Sequence, residues 1–132
     1  MSFASSINTV LNGNSSLNSQ LSNADGSTRI YAYNYPDNLD VSLSAIVFTY
    51  KKENGTHTLG SKNVLEDYSL YIVILSPDPG ENETIADLVH SFLDEYQDAN
   101  ILDVTFENDN NGEDQEKGRY FKVLEYKVIF DK

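Results

Sequence analysis

The chain has 132 residues, a formal net charge of −12, 39% hydrophobic and 11% aromatic residues, and no cysteine. This length and apolar content suit a single domain over residues 1–132 with a real core, and they argue against disorder. The lack of cysteine excludes disulfides, zinc–thiolate sites and thiol nucleophiles, and the negative charge argues against affinity for nucleic acid. We expect neither a signal peptide nor a membrane span.

The acidic residues are unevenly distributed along the chain. Residues 1–66 contain four basic and five acidic residues, whereas residues 67–132 contain five basic and sixteen acidic ones. No Lys or Arg lies between Lys62 and Lys117. A surface of this kind either serves solubility alone or meets a basic partner.

The first part of the chain predicts helix, loop and a short strand. Apolar residues recur at helical spacing from Phe3 to Leu21, interrupted by Asn and Gly, which predicts one frayed helix or two short ones. Residues 22–28 are rich in Ser, Asn, Asp and Gly and predict a loop. A short strand over 29–33 then ends at a turn at Tyr35–Asn38.

The middle of the chain predicts a hairpin and a central strand. Ala45–Lys52 is expected to form a strand, and Asn54-Gly55 is the strongest hairpin turn signal in the sequence. The turn would return the chain through a polar edge segment over 56–63. Tyr68–Leu75 is apolar on both faces, which is typical of a central strand covered on each side.

The clearest predicted helix follows the Pro and Gly residues of 76–80. Its apolar residues recur at helical spacing and are Ile85, Leu88, Val89, Phe92 and Tyr96. Asn82 is the expected N-cap.

The last predicted elements are two strands separated by a loop. Ile101–Phe106 predicts a strand with Leu102, Val104 and Phe106 inward, and Tyr120–Phe130 predicts a long strand. Glu107–Gly118 predicts a polar, acidic loop. The element order favours an α+β fold, a mostly antiparallel sheet of four to five strands with two helices packed on one face.

Residues that could perform catalysis or bind metal are sparse. His57 lies in the predicted hairpin and His90 on the flank of the predicted helix, without a Ser or acidic partner at a recognised spacing. The run that begins at Glu107 resembles a calcium loop, but the template requires Asp first and Glu twelfth, where the chain has Glu107 and Gly118. We therefore expect no enzyme, no cofactor and no metal site.

Acidic residues on the predicted helix form the strongest candidate surface. Asp87, Ser91, Asp94 and Asp98 follow one another at i, i+4, i+7 and i+11, which predicts one solvent face. This face is either merely solvated, or it repels a polyanion or meets a basic partner. Polar loop residues supply further candidate interface positions, namely His57, Asp109, Asn111, Glu113 and Asp114.

The order of elements resembles that of the tail-terminator, or tail-completion, proteins of long-tailed bacteriophages. The resemblance spans most of the chain and rests on segments rather than on a signature motif. They are the N-terminal helix, Arg29–Tyr31 ending at Tyr35-Pro36, Ala45–Tyr50, Leu59-Gly60, Tyr68–Ile74, the helix from Ile85 to Tyr96, and the final pair of strands with its polar loop. The chain departs from its relatives at Leu39–Ser42, where they often carry a further proline-containing segment.

The resemblance implies a non-enzymatic virion protein that forms a homo-oligomeric ring, commonly a hexamer. Such a ring caps the tail tube protein at the head-proximal end of the tail and contacts the head connector or stopper protein, after assembly in the host cytoplasm. DNA would pass through its lumen without specific binding, and no membrane is involved. The alternative is a monomeric acidic binding module, of inhibitor or immunity type, for a basic partner.

Overall fold

A computed structural model describes residues 2–23, 25–34, 42–59, 63–114 and 118–131, with the backbone alone for 54–59, 63–64 and 114. The turn predicted at 35–38 lies outside the described residues. Three helices and five strands are described: α1 (Phe3–Asn12), α2 (Ser15–Leu21), β1 (Ile30–Ala32), β2 (Ala45–Leu59), β3 (Asn63–Ser76), α3 (Pro79–Leu93), β4 (Ile101–Asp114) and β5 (Arg119–Asp131).

The five strands form one sheet in the order β1-β2-β3-β5-β4. β1 pairs with β2 in parallel, and the other three pairings are antiparallel. This confirms the predicted α+β class and the mostly antiparallel sheet. β1 and β4 are the two edges, so the short parallel strand and the acidic strand lie on opposite sides of the molecule.

The helices share one core with alternate residues of the sheet. In β5 the buried hydrophobic residues are Leu124, Tyr126, Val128 and Phe130, at the alternate positions that a strand requires. They pack with helix residues that include Ile7, Leu17, Ile85 and Val89, all fully buried. Burying an aliphatic or aromatic side chain of this size contributes about 1.5–3 kcal/mol.

The N-terminal segment forms two short helices rather than one. Gly13 is the C-cap of α1, and Asn14 is the N-cap of α2, because its Oδ1 accepts a hydrogen bond from the backbone N–H of Leu17 at 2.9 Å. Ser2 caps α1 in the same way, through the N–H of Ser5.

The predicted hairpin turn at Asn54-Gly55 is wrong. β2 continues through it to Leu59, and its pairing with β3 shifts register between Lys52 and Thr56. Three residues of β2 there oppose one of β3, which is a bulge. Asn-Gly tolerates unusual backbone angles in a bulge as well as in a turn, so the dipeptide alone does not separate the two.

α3 begins and ends earlier than predicted. Asp78 is the N-cap instead of Asn82, since its carboxylate accepts from the N–H of Gly80 at 3.0 Å and Pro79 starts the helix. Glu95 has φ of 64°, a left-handed conformation that turns the chain towards β4. Tyr96 therefore lies beyond the helix.

β4 is much longer than predicted, so the expected polar loop is wrong over residues 107–114, which form strand. Residues 115–117 of that predicted loop lie outside the described residues. The pairing of β4 with β5 runs to Asp114, opposite Arg119. The ladder of hydrogen bonds to β5 outweighs the weak strand propensity of Asn, Asp and Gly. A register shift between Ile101 and Asp103 also places Ile101, and not the predicted Leu102, in the core.

Candidate interaction surfaces

The carboxylates predicted to share one helical face lie in three different settings. Asp87 is exposed on α3, Asp94 is the C-cap of that helix, and Asp98 lies in the turn that precedes β4. The shared helical face is wrong because α3 ends at Leu93.

Asp98 organises the turn between α3 and β4. Its Oδ1 accepts hydrogen bonds from the backbone N–H groups of Asn100 at 2.8 Å and Ile101 at 2.7 Å. The hydroxyl of Tyr96 donates to Oδ2 at 3.0 Å. Burial alone would raise the pKa of Asp98, but these hydrogen bonds lower its pKa below the ordinary value. Asp98 thus has a structural role whatever partner its region meets.

Asp94 belongs to a polar cluster that ties α3 to the sheet. Its Oδ1 accepts from the N–H of Phe106 at 3.2 Å, and its Oδ2 lies 3.7 Å from Nε2 of His90. Nδ1 of His90 is 3.1 Å from the hydroxyl oxygen of Tyr126. Burial, and then the charge of Asp94, raise the pKa of Tyr126, so this hydroxyl stays protonated at neutral pH. The sequence placed His90 on the helix flank but gave no sign of this contact.

The predicted loop positions of β4 lie on an extended strand. Asp109 Oδ2 is 3.4 Å from Nζ of Lys122, which donates to Glu83 Oε1 at 2.9 Å. Burial would lower the pKa of Lys122, but the two carboxylates raise it above its ordinary value. Asn111 and Glu113 follow on the same strand, opposite Lys122 and Tyr120, and both are exposed.

His57 and Asp114 are described by their backbones alone. His57 pairs with Leu65 between β2 and β3, and Asp114 pairs with Arg119 at the end of the β4–β5 hairpin. The contacts of their side chains lie outside the described part of the chain, so their place in an interface stays a prediction.

Exposed carboxylates of α3 and β4 gather on one side of the molecule. We call this surface the acidic flank, and its residues are Glu83, Asp87, Asp109 and Glu113. Glu83, Asp87 and Asp109 line a common groove beside Lys122. The fold thus brings together in space the charges that the sequence concentrates after residue 66.

The sheet face away from the helices, which we call the far face, carries two rows without a single charge. One row runs across the strands through Val47, Val73, Val123 and Asn110. The next runs through Ala45, Leu75, Phe121 and Gly112. Ala45, Val47 and Leu75 are already buried within the chain, so the accessible apolar part of these rows is formed by Val73, Phe121 and Val123, which are half-buried and lie outside the main core. A solvated sheet face normally carries polar residues, so these uncharged rows are the best candidate contact surface on the far face.

The other end of the far face is charged and concave. A cavity of about 570 Å³ is lined by Asp67, Asp103 and Glu107, among others, with Lys127. Lys127 Nζ donates to Ser69 Oγ at 2.9 Å, and the Ser69 hydroxyl donates to Glu53. This hydrogen bond from Ser69, helped by Lys127, lowers the pKa of Glu53. The serine proton points to a carboxylate, and its side chain is 1% exposed, so the group ties strands together rather than presenting a nucleophile.

No group of three or more His, Asp or Glu residues in the described ranges is arranged to hold a metal ion. Residues 107–114 of the calcium-like run lie in β4, where alternate side chains such as those of Asp109 and Asn111 are spread along an extended strand, roughly 6.5–7 Å apart, and do not wrap around one ion as a calcium loop does. Nor does the described part of the chain contain a helix long and apolar enough to cross a membrane.

Comparison with proteins of solved structure shows a likeness in fold. No family model matches the sequence, and no curated protein is similar to it in sequence. The fold is similar to that of a chain in the virion of a native gene transfer agent particle, with a TM-score of 0.66 and 8% sequence identity. The match covers 96% of this chain and 92% of the other. At this identity it shows a shared fold over nearly the full length of both chains.

Proposed function

We propose that this chain is a non-enzymatic structural protein of a phage-like virion. In the specific form of the proposal, copies form a ring, commonly of six, that terminates the tail tube at its head-proximal end. The ring joins the tube to the head connector or stopper protein. The observation that carries the proposal is the likeness in fold to a virion protein along nearly the whole of both chains.

Two features of the surface support a role in assembly. The uncharged rows of the far face offer a contact area between copies that each carry a net charge of −12. The acidic flank offers a surface that repels DNA, as the lining of a passage requires, since like charges repel. Asp87 belongs to that flank, and we assign it to the lumen together with the charges of Asp94 and Asp98.

The competing proposal is a monomeric acidic module of inhibitor or immunity type. The acidic flank favours it as well, because a basic partner would be attracted to the same carboxylates. Such a module binds one partner molecule and has no need of the uncharged rows. The oligomeric state therefore separates the two proposals.

The test is the mass in solution by light scattering, for the chain alone and with purified tail tubes. We expect a defined oligomer of ring stoichiometry. Val123→Glu places a charge in the uncharged rows and should abolish the oligomer, whereas Thr105→Glu adds the same charge to the exposed, charged end of the same face and should not. A monomer at every concentration, with and without tubes, would contradict the ring.

The lumen assignment has its own test in assembled particles. Asp87→Lys should lower the number of particles that deliver DNA while the mass of the ring is unchanged. Asp87 is the residue to change because the carboxylates of Asp94 and Asp98 also hold the backbone. Unchanged delivery of DNA would remove Asp87 from the lumen.

A further inference from the structure

The outer edge of β4 is covered along its first half and open along its second. β4 is an edge strand, and β5 pairs with it on one side. On the other side, the N–H of Glu95 donates to the carbonyl of Val104 at 2.9 Å, and the N–H of Phe106 donates to Oδ1 of Asp94 at 3.2 Å. No element that the structure describes covers residues 107–114 in this way. We call this stretch the open edge.

The register shows which backbone groups face the open edge. In an antiparallel pair, residues bonded to the neighbouring strand alternate with residues that face away from it. Phe106 faces away from β5, and the bulge between Phe106 and Asn108 shifts the alternation by one residue. The residues that face outward beyond the bulge are therefore Asp109, Asn111 and Glu113. Of their N–H groups, that of Asp109 donates to Oδ1 of Asn108 at 2.9 Å, which agrees with this direction.

The side of the open edge that faces the helices is negatively charged. Asp109 and Glu113 are both exposed there. Lys122 lies 3.4 Å from Asp109 and 2.9 Å from Glu83, so its single positive charge offsets only one of these two carboxylates. Glu113 adds a further negative charge at the end of the strand. A cation that approaches this side is attracted, and an anion is repelled.

The other side of the open edge is uncharged and continues the far face. Asn110 and Gly112 lie here, at the ends of the two uncharged rows. The ring of Phe121 lies over Gly112, where an added Cβ would be 2.1 Å from Cζ of the ring. The ring thus extends from β5 across the edge strand, and it offers an apolar surface to the side chains of a further strand.

We propose that the open edge binds an extended segment of a partner protein as an additional strand, in which Lys or Arg alternates with apolar residues. Successive side chains of such a strand point to opposite faces of the sheet. The basic ones lie beside Asp109 and Glu113, and the apolar ones lie beside Asn110 and Gly112, where they extend the uncharged rows. Backbone hydrogen bonds supply affinity, and the alternation supplies specificity.

The partner is a protein other than this chain. Charged side chains on an edge strand prevent pairing between copies, and here each copy carries a net charge of −12. The other edge of the sheet is β1, which has three residues, none of them charged, and is too short to cover 107–114. A basic segment meets no such repulsion. The proposal goes beyond the ring and does not depend on it, because it concerns one copy and an unlike partner.

The experiment is hydrogen exchange by NMR on the full-length chain, labelled with ¹⁵N, with a synthetic peptide in which four lysines alternate with three valines. The control peptide has the same residues as a block of lysines followed by a block of valines. We expect the alternating peptide at saturation to slow exchange of the outward amides of Asn111 and Glu113 by at least about tenfold, and the block peptide by less than about twofold. The amides of Asn110 and Gly112 point to β5 and serve as the internal reference.

Variants place the binding at the open edge. Glu113→Gln should weaken binding of the alternating peptide by about twofold to fivefold. Glu95→Gln makes the same change at an exposed position in the turn after α3, outside the open edge, and should weaken binding by less than about 1.5-fold. Asn111→Pro removes an outward N–H and should abolish binding, since proline is tolerated on an edge strand but cannot donate. Thermal unfolding shows that each variant is folded.

Equal slowing of exchange by the two peptides would overturn the proposal, because charge alone would then explain the binding. Unchanged exchange at Asn111 and Glu113 with the alternating peptide at millimolar concentration would overturn it too. So would an effect of Glu95→Gln as large as that of Glu113→Gln. A monomeric mass in solution would contradict the ring and leave this result untouched.

Discussion

Arg29 joins parts of the structure that lie apart in the sequence. Its Nε donates to the carbonyl of Ser44 at 2.6 Å, and its two terminal nitrogens donate to the carbonyls of Ser22 at 2.9 Å and Gln20 at 3.2 Å. A further bond at 2.9 Å reaches Oδ1 of Asn23. The guanidinium thus connects the end of α2, the following loop and the start of β2. The sequence assigned Arg29 only to a short strand, because four partners spread over 25 residues leave no local pattern.

Replacement of Arg29 tests whether this connection stabilises the fold. Arg29→Lys keeps the charge but cannot satisfy four acceptors that a planar guanidinium reaches at once. We expect it to lower the free energy of unfolding by about 2–4 kcal/mol, measured by urea denaturation. Lys51→Met, at an exposed basic residue of β2, is the control and should change stability by less than about 0.5 kcal/mol. A loss equal to that of the control would show that water replaces these hydrogen bonds without cost.

Element boundaries show how far the sequence could predict the fold. Local signals were sufficient where periodicity is strong, as in β5 and in the core positions Ile85 and Val89 of α3. The start of α3 was also encoded locally, since Asp78-Pro79 is a good N-cap followed by proline at N1, and Asn82 was preferred wrongly. The end of α3 was not encoded locally, because it depends on hydrogen bonds of Asp94 and Glu95 with β4.

Candidate surfaces were less predictable than the fold, since they depend on pairing between distant strands. The uncharged rows consist of residues from β2, β3, β5 and β4, and the register of those strands brings them side by side. The sequence did indicate that Tyr68–Leu75 is apolar on both faces. It could not indicate which side chains of different strands lie side by side on the face away from the helices, nor that Asn110 and Gly112 belong to a strand.

The turn after α3 predicts a dependence of stability on pH. The pKa of Asp98 is lower in the folded chain than its ordinary value, so its carboxylate form stabilises the fold. This contribution is fully present above a pH of about 4 and is lost as the pH falls through the folded-state pKa. Asp98→Asn should therefore be less stable than the natural chain at pH 7, with a difference that shrinks as the pH is lowered towards 2.

Thermal unfolding between pH 7 and pH 2 measures this difference. Asp87→Asn removes the same charge from an exposed position on α3 and controls for the reduction in net negative charge. A difference for Asp98→Asn that stays constant over the whole range would mean that the shape of the side chain, and not its charge, holds the turn. Equal behaviour of the two variants would mean that the carboxylate of Asp98 stabilises the fold no more than an exposed carboxylate does.

At the scale of the whole molecule, charge and apolar surface lie in separate places. The acidic flank follows α3 and the edge strand β4, whereas the uncharged rows cross one end of the far face. Two copies with a charge of −12 each repel one another at long range and can approach closely only where charge is absent. A basic partner is instead attracted at long range by the same net charge.

The dependence on salt separates these two kinds of association. The Debye length falls from about 30 Å at 0.01 M salt to about 10 Å at 0.1 M, so added salt weakens both repulsion and attraction between exposed charges. We expect association between copies to strengthen as salt rises over this range. Salt screens the repulsion between the negatively charged copies, and it does not weaken the contact through the uncharged rows. Sedimentation velocity at fixed protein concentration measures the change, and Val123→Glu should abolish it whereas Thr105→Glu should not. An oligomer that dissociates as salt is added would show that opposite charges hold the copies together, and the uncharged rows would then be excluded as their contact.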